Sequence, residues 1–229
     1  DLDGATVYAG GGVAANDGRP AGPACSLDIN TLSNASGLPA CDPNIIGSIG
    51  SGSPSYGVGG VQGLWVDTTN DLCIMTGGIL EAGGDHWHDG SSSGHTTVYG
   101  YTIVSQASGT GAPVATWAPT FGTGAAVGNT LVVNTAFGVG SQAYISGLFT
   151  SISSGGVTTN RTVAAGLDLT ADTSTQNCVT AFDPNPDTRI WSWETDSAGS
   201  VVFAGGEFTT IGGQSVARLA MLDPTTGAV

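Results

Sequence analysis

The chain carries its three histidines, His86, His88 and His95, in one short segment. Asp85 and Asp89 flank the first two, which form a His-x-His pair. In an extended segment alternate side chains share a face, so the two imidazoles of that pair would stand about 7 Å apart. They could then bind one metal ion, with the carboxylates as further ligands or as hydrogen-bond partners of the imidazoles. The spacing therefore indicates a transition-metal site.

Other interpretations of this segment stay open. Gly and Ser residues surround it, which is typical of a solvated surface loop whose histidines only titrate near neutral pH. Trp87, between the paired histidines, would then be an exposed aromatic ring able to stack on a sugar. Residues 1–4 and 16–18 resemble the start of calcium-binding loops, but both lack the later ligands. We expect no cofactor, with a transition metal or calcium as the alternatives.

The sequence offers little for the common catalytic mechanisms. The glycine-rich runs have no Lys and no following helical pattern, so they do not predict a phosphate-binding loop. Glu occurs only at positions 81, 194 and 207, which disfavours a glycosidase with paired Glu residues, whereas paired Asp residues stay open. We expect no catalytic residues and no enzymatic activity. The alternative is a metal-dependent enzyme that uses His86, His88 and His95.

Composition excludes two classes of partner. Four Arg and no Lys stand against 18 acidic residues, which gives a formal net charge of -14. Binding to nucleic acid requires clustered cations that neutralise phosphates, and binding to an anionic membrane surface also requires clustered cations. No apolar run approaches the ~18 residues that span a membrane. We therefore expect neither nucleic-acid binding nor membrane insertion.

The cysteines and two sequons indicate an extracellular or cell-surface protein. Cys25, Cys41, Cys73 and Cys178 form no C-x-x-C pair, and an even count in an acidic, Ser/Thr/Gly-rich chain favours disulfides. Cys25 with Cys41 would close a Pro/Gly/Ser-rich loop, which leaves Cys73 with Cys178 by elimination. A buried free thiol at Cys73 is the alternative.

N-glycosylation is predicted at two triplets, Asn34-Ala35-Ser36 and Asn160-Arg161-Thr162. Both are compatible with secretion. The chain starts at Asp1 without Met, which indicates a processed N terminus or a segment of a longer protein.

A repeated unit positions all of these residues. Residues 201–213 read Val-Val-Phe-Ala-Gly-Gly-Glu-Phe-Thr-Thr-Ile-Gly-Gly, and Arg-Leu-Ala-Met-Leu-Asp-Pro-Thr-Thr-Gly follows at 218–227. Related stretches occur at residues 7–11, 74–78 and 144–152, and they align Gly10, Gly77, Gly147 and Gly205. A repeat of strands at this spacing is typical of blades or stacked sheets.

Each unit divides into four short strands, which predicts an all-β fold. Both faces of the strand at residues 200–204 are apolar, as expected for a sheet between two other sheets. The predicted blades cover residues 1–50, 58–121, 129–184 and 188–229, and the first and last are incomplete; the first strand of the first blade would precede Asp1. Four Trp residues fall in predicted strands, so we expect them to pack between blades: Trp65, Trp117, Trp191 and Trp193.

These units resemble the secreted bacterial β-propeller repeat family, which is kelch-like and has the consensus V-Y-x-G-G-x-F-T-x-I-G-G, then L-D-x-T-T-G. The match is close over residues 200–229 and partial over 3–11, 117–119 and 143–152, while residues 12–24 and 79–95 depart from it as insertions. The resemblance implies a single propeller of four-stranded blades over residues 1–229, in an extracellular or surface protein without a catalytic motif.

The repeat count also bears on function. About three and a half blades are recognisable, whereas a closed propeller needs at least about four. Either the molecule is longer, or its open ends pair with another copy, and a head-to-tail contact that does not close makes a filament. We expect a non-enzymatic structural or adhesive module that associates with itself or with other surface proteins and glycans. Self-association through open blade edges would form fibres. The alternatives are a carbohydrate-binding propeller that uses Trp87 and the metal-dependent enzyme.

Overall fold

The computed structural model describes residues 116–117, 119–122 and 133–229, and elsewhere the backbone of β-strands together with the burial of Trp65, Ile74 and Thr76. The chain divides into two compact units. One comprises Asp1–Ala115 with Gly128–Thr130, and the other comprises Thr116–Val127 with Leu131–Val229. Within the described ranges, no helix combines the length and the apolar character needed to cross a membrane.

The described part of the first unit consists of antiparallel strands. They are β1 (Leu2–Asp3), β2 (Thr6–Gly10), β3 (Ala15–Asn16), β4 (Arg19–Pro20), β5 (Ala24–Asp28), β6 (Ile46–Gly47), β7 (Ser55–Tyr56), β8 (Val61–Asp67), β9 (Leu72–Gly77), β10 (Ile79–Ala82), β11 (Thr96–Thr97) and β12 (Tyr101–Ser105). They pair in the orders β1-β2-β5, β11-β10-β6-β7, β12-β9-β8 and β3-β4.

The second unit contains three antiparallel sheets of three strands each among its described residues. Its strands are β13 (Thr120–Gly122), β14 (Val133–Val139), β15 (Gln142–Gly147), β16 (Ser151–Ser154), β17 (Val157–Asn160), β18 (Ala164–Asp168), β19 (Ile190–Thr195), β20 (Val202–Gly206) and β21 (Leu219–Leu222). The hairpin β16-β17 pairs with β13. We call β14-β15-β18 the middle sheet and β19-β20-β21 the C-terminal sheet.

The all-β prediction is confirmed for the described residues, and three sheets share one construction. The sheets β8-β9-β12, β14-β15-β18 and β19-β20-β21 each run as a meander with a bulge near the start of the first strand. The bulges oppose Gly77, Gly147 and Gly206. The last equivalent glycine is therefore Gly206 and not Gly205, because strand pairing, and not the first Gly of the pair, sets the register.

The bulge explains why a glycine stands at this position. A Cβ on Gly206 would overlap the carbonyl oxygen of Arg189 and would lie 2.8 Å from the Cα of Ile190. Both contacts are with backbone atoms, which cannot rotate away. The extra residue in β19 thus brings two backbones closer than any side chain allows.

A second shared feature follows the second strand. In the middle sheet the N–H of Gly147 donates to the carbonyl of Val163 (2.8 Å), and the N–H of Val163 donates to that of Phe149 (3.1 Å). The C-terminal sheet repeats both bonds, at 2.9 and 3.0 Å, with Gly206, Arg218 and Phe208. Val163 and Arg218 also share a positive φ of 69° and 71°. These repeated bonds hold the buried Phe149 and Phe208 against the sheet edges.

The predicted fourth strand at residues 178–182 is not a regular strand. It forms one isolated bridge, Leu167 with Val179, and hydrogen bonds from Asp168 N to Cys178 O (2.7 Å) and from Gly166 N to Phe182 O (3.2 Å). Side chains within the segment accept some of its own N–H groups, as Thr180 Oγ1 accepts from Phe182 N. Such local bonds compete with a strand ladder.

Two other predicted strands differ. The stretch at residues 96–104 is divided between β11, which pairs with β10, and β12, which pairs with β9. The first strand expected before Asp1 has a counterpart inside the chain, because β1 pairs with β2. In the first case pairing with separate strands decided the boundary, which local sequence patterns do not encode. The second case is a local hairpin in which Leu2 pairs with Val7 and Asp3 with Thr6.

The middle and C-terminal sheets pack face to face around an aromatic cluster. Phe182 is fully buried, with its ring centroid 4.7 Å from that of Tyr144 and 6.0 Å from that of Trp193. The hydroxyl of Tyr144 donates to the carbonyl of Pro224 (3.1 Å), which ties the two sheets together at one side. The C-terminal sheet contributes a face of five buried residues, which we call its inner face: Trp193, Val202, Ala204, Ala220 and Leu222.

An aspartate fastens the turn that follows Phe208. Asp187 Oδ1 accepts from the backbone N–H groups of Thr209 (2.8 Å) and Thr210 (3.1 Å), and Oδ2 accepts from the Thr209 hydroxyl. These hydrogen bonds, first that of the Thr209 hydroxyl, lower the pKa of Asp187. A lowered folded-state pKa stabilises the fold above the ordinary carboxyl pKa, and this contribution is lost as the pH falls through the folded-state value.

We expect Asp187→Asn to reduce the acid sensitivity of the fold. The thermal midpoint of the wild type should exceed that of the variant at pH 7. The difference should begin to shrink as the pH falls below the ordinary carboxyl pKa of about 4, and it should vanish at the lower pH at which the folded-state carboxylate is protonated. Glu207→Gln is the control, because it removes one negative charge from an exposed side chain just after β20. Parallel midpoint curves for the wild type and Asp187→Asn from pH 7 to 2 would contradict this role of the carboxylate.

Candidate interaction surface

The histidine segment lies outside the described residues. This applies to all six side chains assigned to it: Asp85, His86, Trp87, His88, Asp89 and His95. The metal and sugar interpretations therefore stay predictions. Among the residues that the structure describes, no group of three or more His, Cys, Asp or Glu side chains could hold a metal ion.

The structure describes the side chain of one cysteine. Cys178 is fully buried and its thiol is free. Burial raises the pKa of this thiol, and the backbone N–H of Cys178 donates to Ser154 Oγ (2.9 Å). Cys25 and Cys73 lie in β5 and β9, where only the backbone is described, and Cys41 lies outside the described residues. The pairing of Cys73 with Cys178 and that of Cys25 with Cys41 therefore stay predictions.

One of the two sequons is described. Asn160 ends β17 and is exposed, so its side chain is accessible to a glycosylating enzyme. Asn34 lies outside the described residues. Glycosylation at both positions stays a prediction.

The clearest unexplained surface is the second face of the C-terminal sheet, which we call its outer face. Strand pairing places Ser192, Gly205 and Leu219 in one row across the sheet and Glu194, Phe203 and Met221 in the next. Leu219 is 65% exposed and Met221 is 57% exposed, and Phe203 between them is half-buried. Large apolar side chains thus project where solvent reaches them.

The corresponding face of the middle sheet is buried. The shared register matches Tyr144 to Phe203 and Ala164 to Leu219, and these two are 3% and 0% exposed. In β9 the positions of Phe203 and Gly205 belong to Ile74 and Thr76, which are also buried. Among the described sheets of this construction, the outer face is exposed in the C-terminal sheet alone.

Sequence reasoning missed this exposure. It expected both faces of the sheet to be covered, because both faces of the strand at residues 200–204 are apolar. The strand Leu219–Leu222 also contains no polar residue. Two signals were available. Ser192 and Glu194 alternate with the buried Trp193 in β19, which indicates a solvated face. Leu219 and Met221 also stand where the middle sheet has the smaller Ala164 and Gly166.

Two of the four tryptophans that were expected to pack are buried. Trp193 in β19 and Trp117, which precedes β13 and lies outside a strand, are each 5% exposed. Trp65 in β8 is half-buried, and Trp191 is 44% exposed. In a regular strand Trp191 and Trp193 would share a face, but the bulge between Ile190 and Ser192 turns Trp191 outward. The guanidinium of Arg189 lies 5.4 Å from the centroid of the Trp191 ring, a cation–π contact.

Charges of opposite sign flank the outer face. Arg189 and Arg218 immediately precede β19 and β21, at the end of the sheet where both strands start. Carboxylates lie toward the opposite end: Glu194, Asp196 and Asp223. Hydrogen bonds from the Ser200 hydroxyl and the Val201 N–H lower the pKa of Asp196. The Thr226 N–H and hydroxyl do the same for Asp223, so both carboxylates are charged at neutral pH.

No family model, curated protein or solved structure matches the chain.

Proposed function

We propose that the protein is a non-enzymatic structural or adhesive module of the extracellular space or the cell surface. It associates with further copies of itself or with other surface proteins and glycans. The observation that carries this proposal is the exposure of Leu219 and Met221 at positions that are buried in the middle sheet. Contiguous exposed apolar side chains with a polar rim are typical of interaction surfaces.

The architecture in this proposal is a β-propeller of four-stranded blades. Three sheets with one strand order and one bulge position support it, together with the face-to-face packing of the middle and C-terminal sheets. The irregular segment at residues 178–182 would be the fourth strand of its blade. Stacked blades would form a rigid platform, and the loops, including the histidine segment, would present polar groups.

Open strand edges are a second route of association. The N–H of Asp223 donates to the carbonyl of Ala228 (2.8 Å), where a fourth strand beside β21 would begin. A strand from another copy would complete this edge through backbone hydrogen bonds, and the chain has no Lys to oppose such pairing. Repetition of this contact would build a fibre. Disulfides, and glycans at Asn34 and Asn160, would protect the assembly outside the cell.

Electron microscopy of the native, unproteolysed protein tests this proposal. We expect fibres or discrete oligomers with a regular subunit repeat. Association would bury the apolar side chains of the outer face and would pair the backbone groups of the open edge. A protein that stays monomeric over the accessible concentrations would contradict self-association. If such monomers bound a glycan array, and Trp87→Ala abolished the binding, the carbohydrate-binding alternative would replace this proposal.

A further inference from the structure

We propose that the outer face of the C-terminal sheet is a two-fold interface with a second copy of this chain, in which the facing strands run antiparallel. This inference rests on the self-association in the proposed function and specifies its geometry. The interface core is formed by Phe203, Leu219 and Met221 of each copy. It differs from pairing through open edges, because side chains and not backbone groups make the contact.

This kind of face already forms an interface within the chain. The matching face of the middle sheet, with Tyr144 and Ala164, packs on the inner face of the C-terminal sheet. Sheets that pack face to face interdigitate their side chains at a separation of about 10 Å. Leu219 and Met221 are larger than their counterparts Ala164 and Gly166. They can fill such a layer from both sides when two identical faces meet.

The placement of charge also supports the two-fold interface. When the two-fold axis runs across the strands, β19 of one copy lies over β19 of the other in the opposite direction. Arg189 then faces the partner's Glu194, and Arg218 faces the partner's Asp223. An axis along the strands would instead bring arginines onto arginines and carboxylates onto carboxylates. Complementary ends select the first arrangement, because like charges at an interface are unfavourable.

The charge of the whole chain strengthens this argument. Each copy carries a formal charge of -14, so two copies repel one another unless a local arrangement offsets the repulsion. The chain has four cationic side chains besides its histidines, and two of them, Arg189 and Arg218, flank this one face. A self-complementary patch of this kind is what an isologous dimer requires.

The apolar core is tested by sedimentation equilibrium of the whole chain with the double variant Leu219→Ser/Met221→Ser. We expect the wild type to form dimers and the dissociation constant of the variant to be at least about tenfold higher. The reason is that the variant removes two apolar side chains per copy from the core of the interface. Val157→Ser is the matched control, because Val157 is 47% exposed on β17, away from the outer face. It should dimerise as the wild type does. Equal thermal midpoints for all three proteins, measured at concentrations where the wild type is monomeric, would exclude misfolding as the cause.

The geometry is tested by charge exchange between Arg189→Glu and Glu194→Arg. Each variant alone should dimerise more weakly than the wild type, because both contacts of its dimer join like charges. An equimolar mixture should restore dimers, which native mass spectrometry identifies as mixed pairs. Failure of the mixture to recover would overturn the antiparallel two-fold arrangement.

The failures of the two proposals are distinguishable. If the wild type self-associates but Leu219→Ser/Met221→Ser associates equally well, this interface is wrong while the proposed function stands. If the wild type stays monomeric by sedimentation and by microscopy, both proposals fail.

Discussion

Replacement of Phe182 by Ala is expected to destabilise the fold by about 3–5 kcal/mol, the largest effect we foresee for a single side chain. Phe182 is fully buried between the middle and C-terminal sheets, in edge-on contact with Tyr144 and Trp193. Truncation removes the transfer free energy of the ring, leaves a cavity and breaks two aromatic contacts. Urea unfolding, followed by tryptophan fluorescence and far-UV circular dichroism, measures the loss.

Phe121→Ala is the matched control, because the same atoms are removed from a half-buried ring in β13. Its ring contacts Phe149, with 5.3 Å between the centroids, so a smaller loss is expected. Equal free energies of unfolding for the two variants would mean that Phe182 does not join the two sheets as described. The fluorescence transition should shift most for Phe182→Ala, since Trp193 reports directly on that cluster.

Replacement of Gly206 by Ala should destabilise the fold by about 2–3 kcal/mol, at the upper end of the range for inserted methyl groups. The new Cβ would overlap the carbonyl oxygen of Arg189, so β19 would have to move away and weaken its ladder with β20. Because the neighbour is backbone, no rotamer change relieves the clash. The same denaturation experiment measures the effect, and a shifted β19 would also disturb the Arg189–Trp191 contact.

The adjacent Gly205 provides the control for this prediction. A Cβ at this position would lie 4.0 Å from its nearest neighbour, the carbonyl oxygen of Ser192, which is ordinary van der Waals contact. Gly205→Ala should therefore change stability by less than about 1 kcal/mol, and the reduced entropy of the unfolded chain favours the variant. A larger loss for Gly205→Ala than for Gly206→Ala would reverse our assignment of the bulge glycine.

This comparison also tests the repeat. Gly77 and Gly147 oppose the bulge in their own sheets as Gly206 does in the C-terminal sheet. The aligned sequence alone selected Gly205, because two neighbouring glycines look alike in a consensus. Strand pairing distinguishes them. Gly206 pairs with Ile190 at the start of the bulge, as Gly147 pairs with Val133 and Gly77 with Val61.

Local physical chemistry made the fold class readable from the sequence. Short apolar stretches end in Gly, Pro and Asp turns, which favours strands and disfavours helices, and the described residues are all-β accordingly. The repeat was equally visible, because the Phe-Thr-x-Ile segment recurs with similar neighbours. The Asp223-Pro224-Thr225-Thr226-Gly227 turn is also local, with Asp223 Oδ1 accepting from the N–H groups of Thr225 and Thr226.

The tertiary structure decided which surfaces are covered. The bulge turned Trp191 into solvent and kept Trp193 in the core, although the two have the same spacing as any pair on one strand face. Both faces of β21 are apolar in sequence, yet Leu219 and Met221 are exposed while Ala220 and Leu222 are buried. Burial depends on what packs against a sheet from distant parts of the chain, and a two-residue periodicity carries no information about that neighbour.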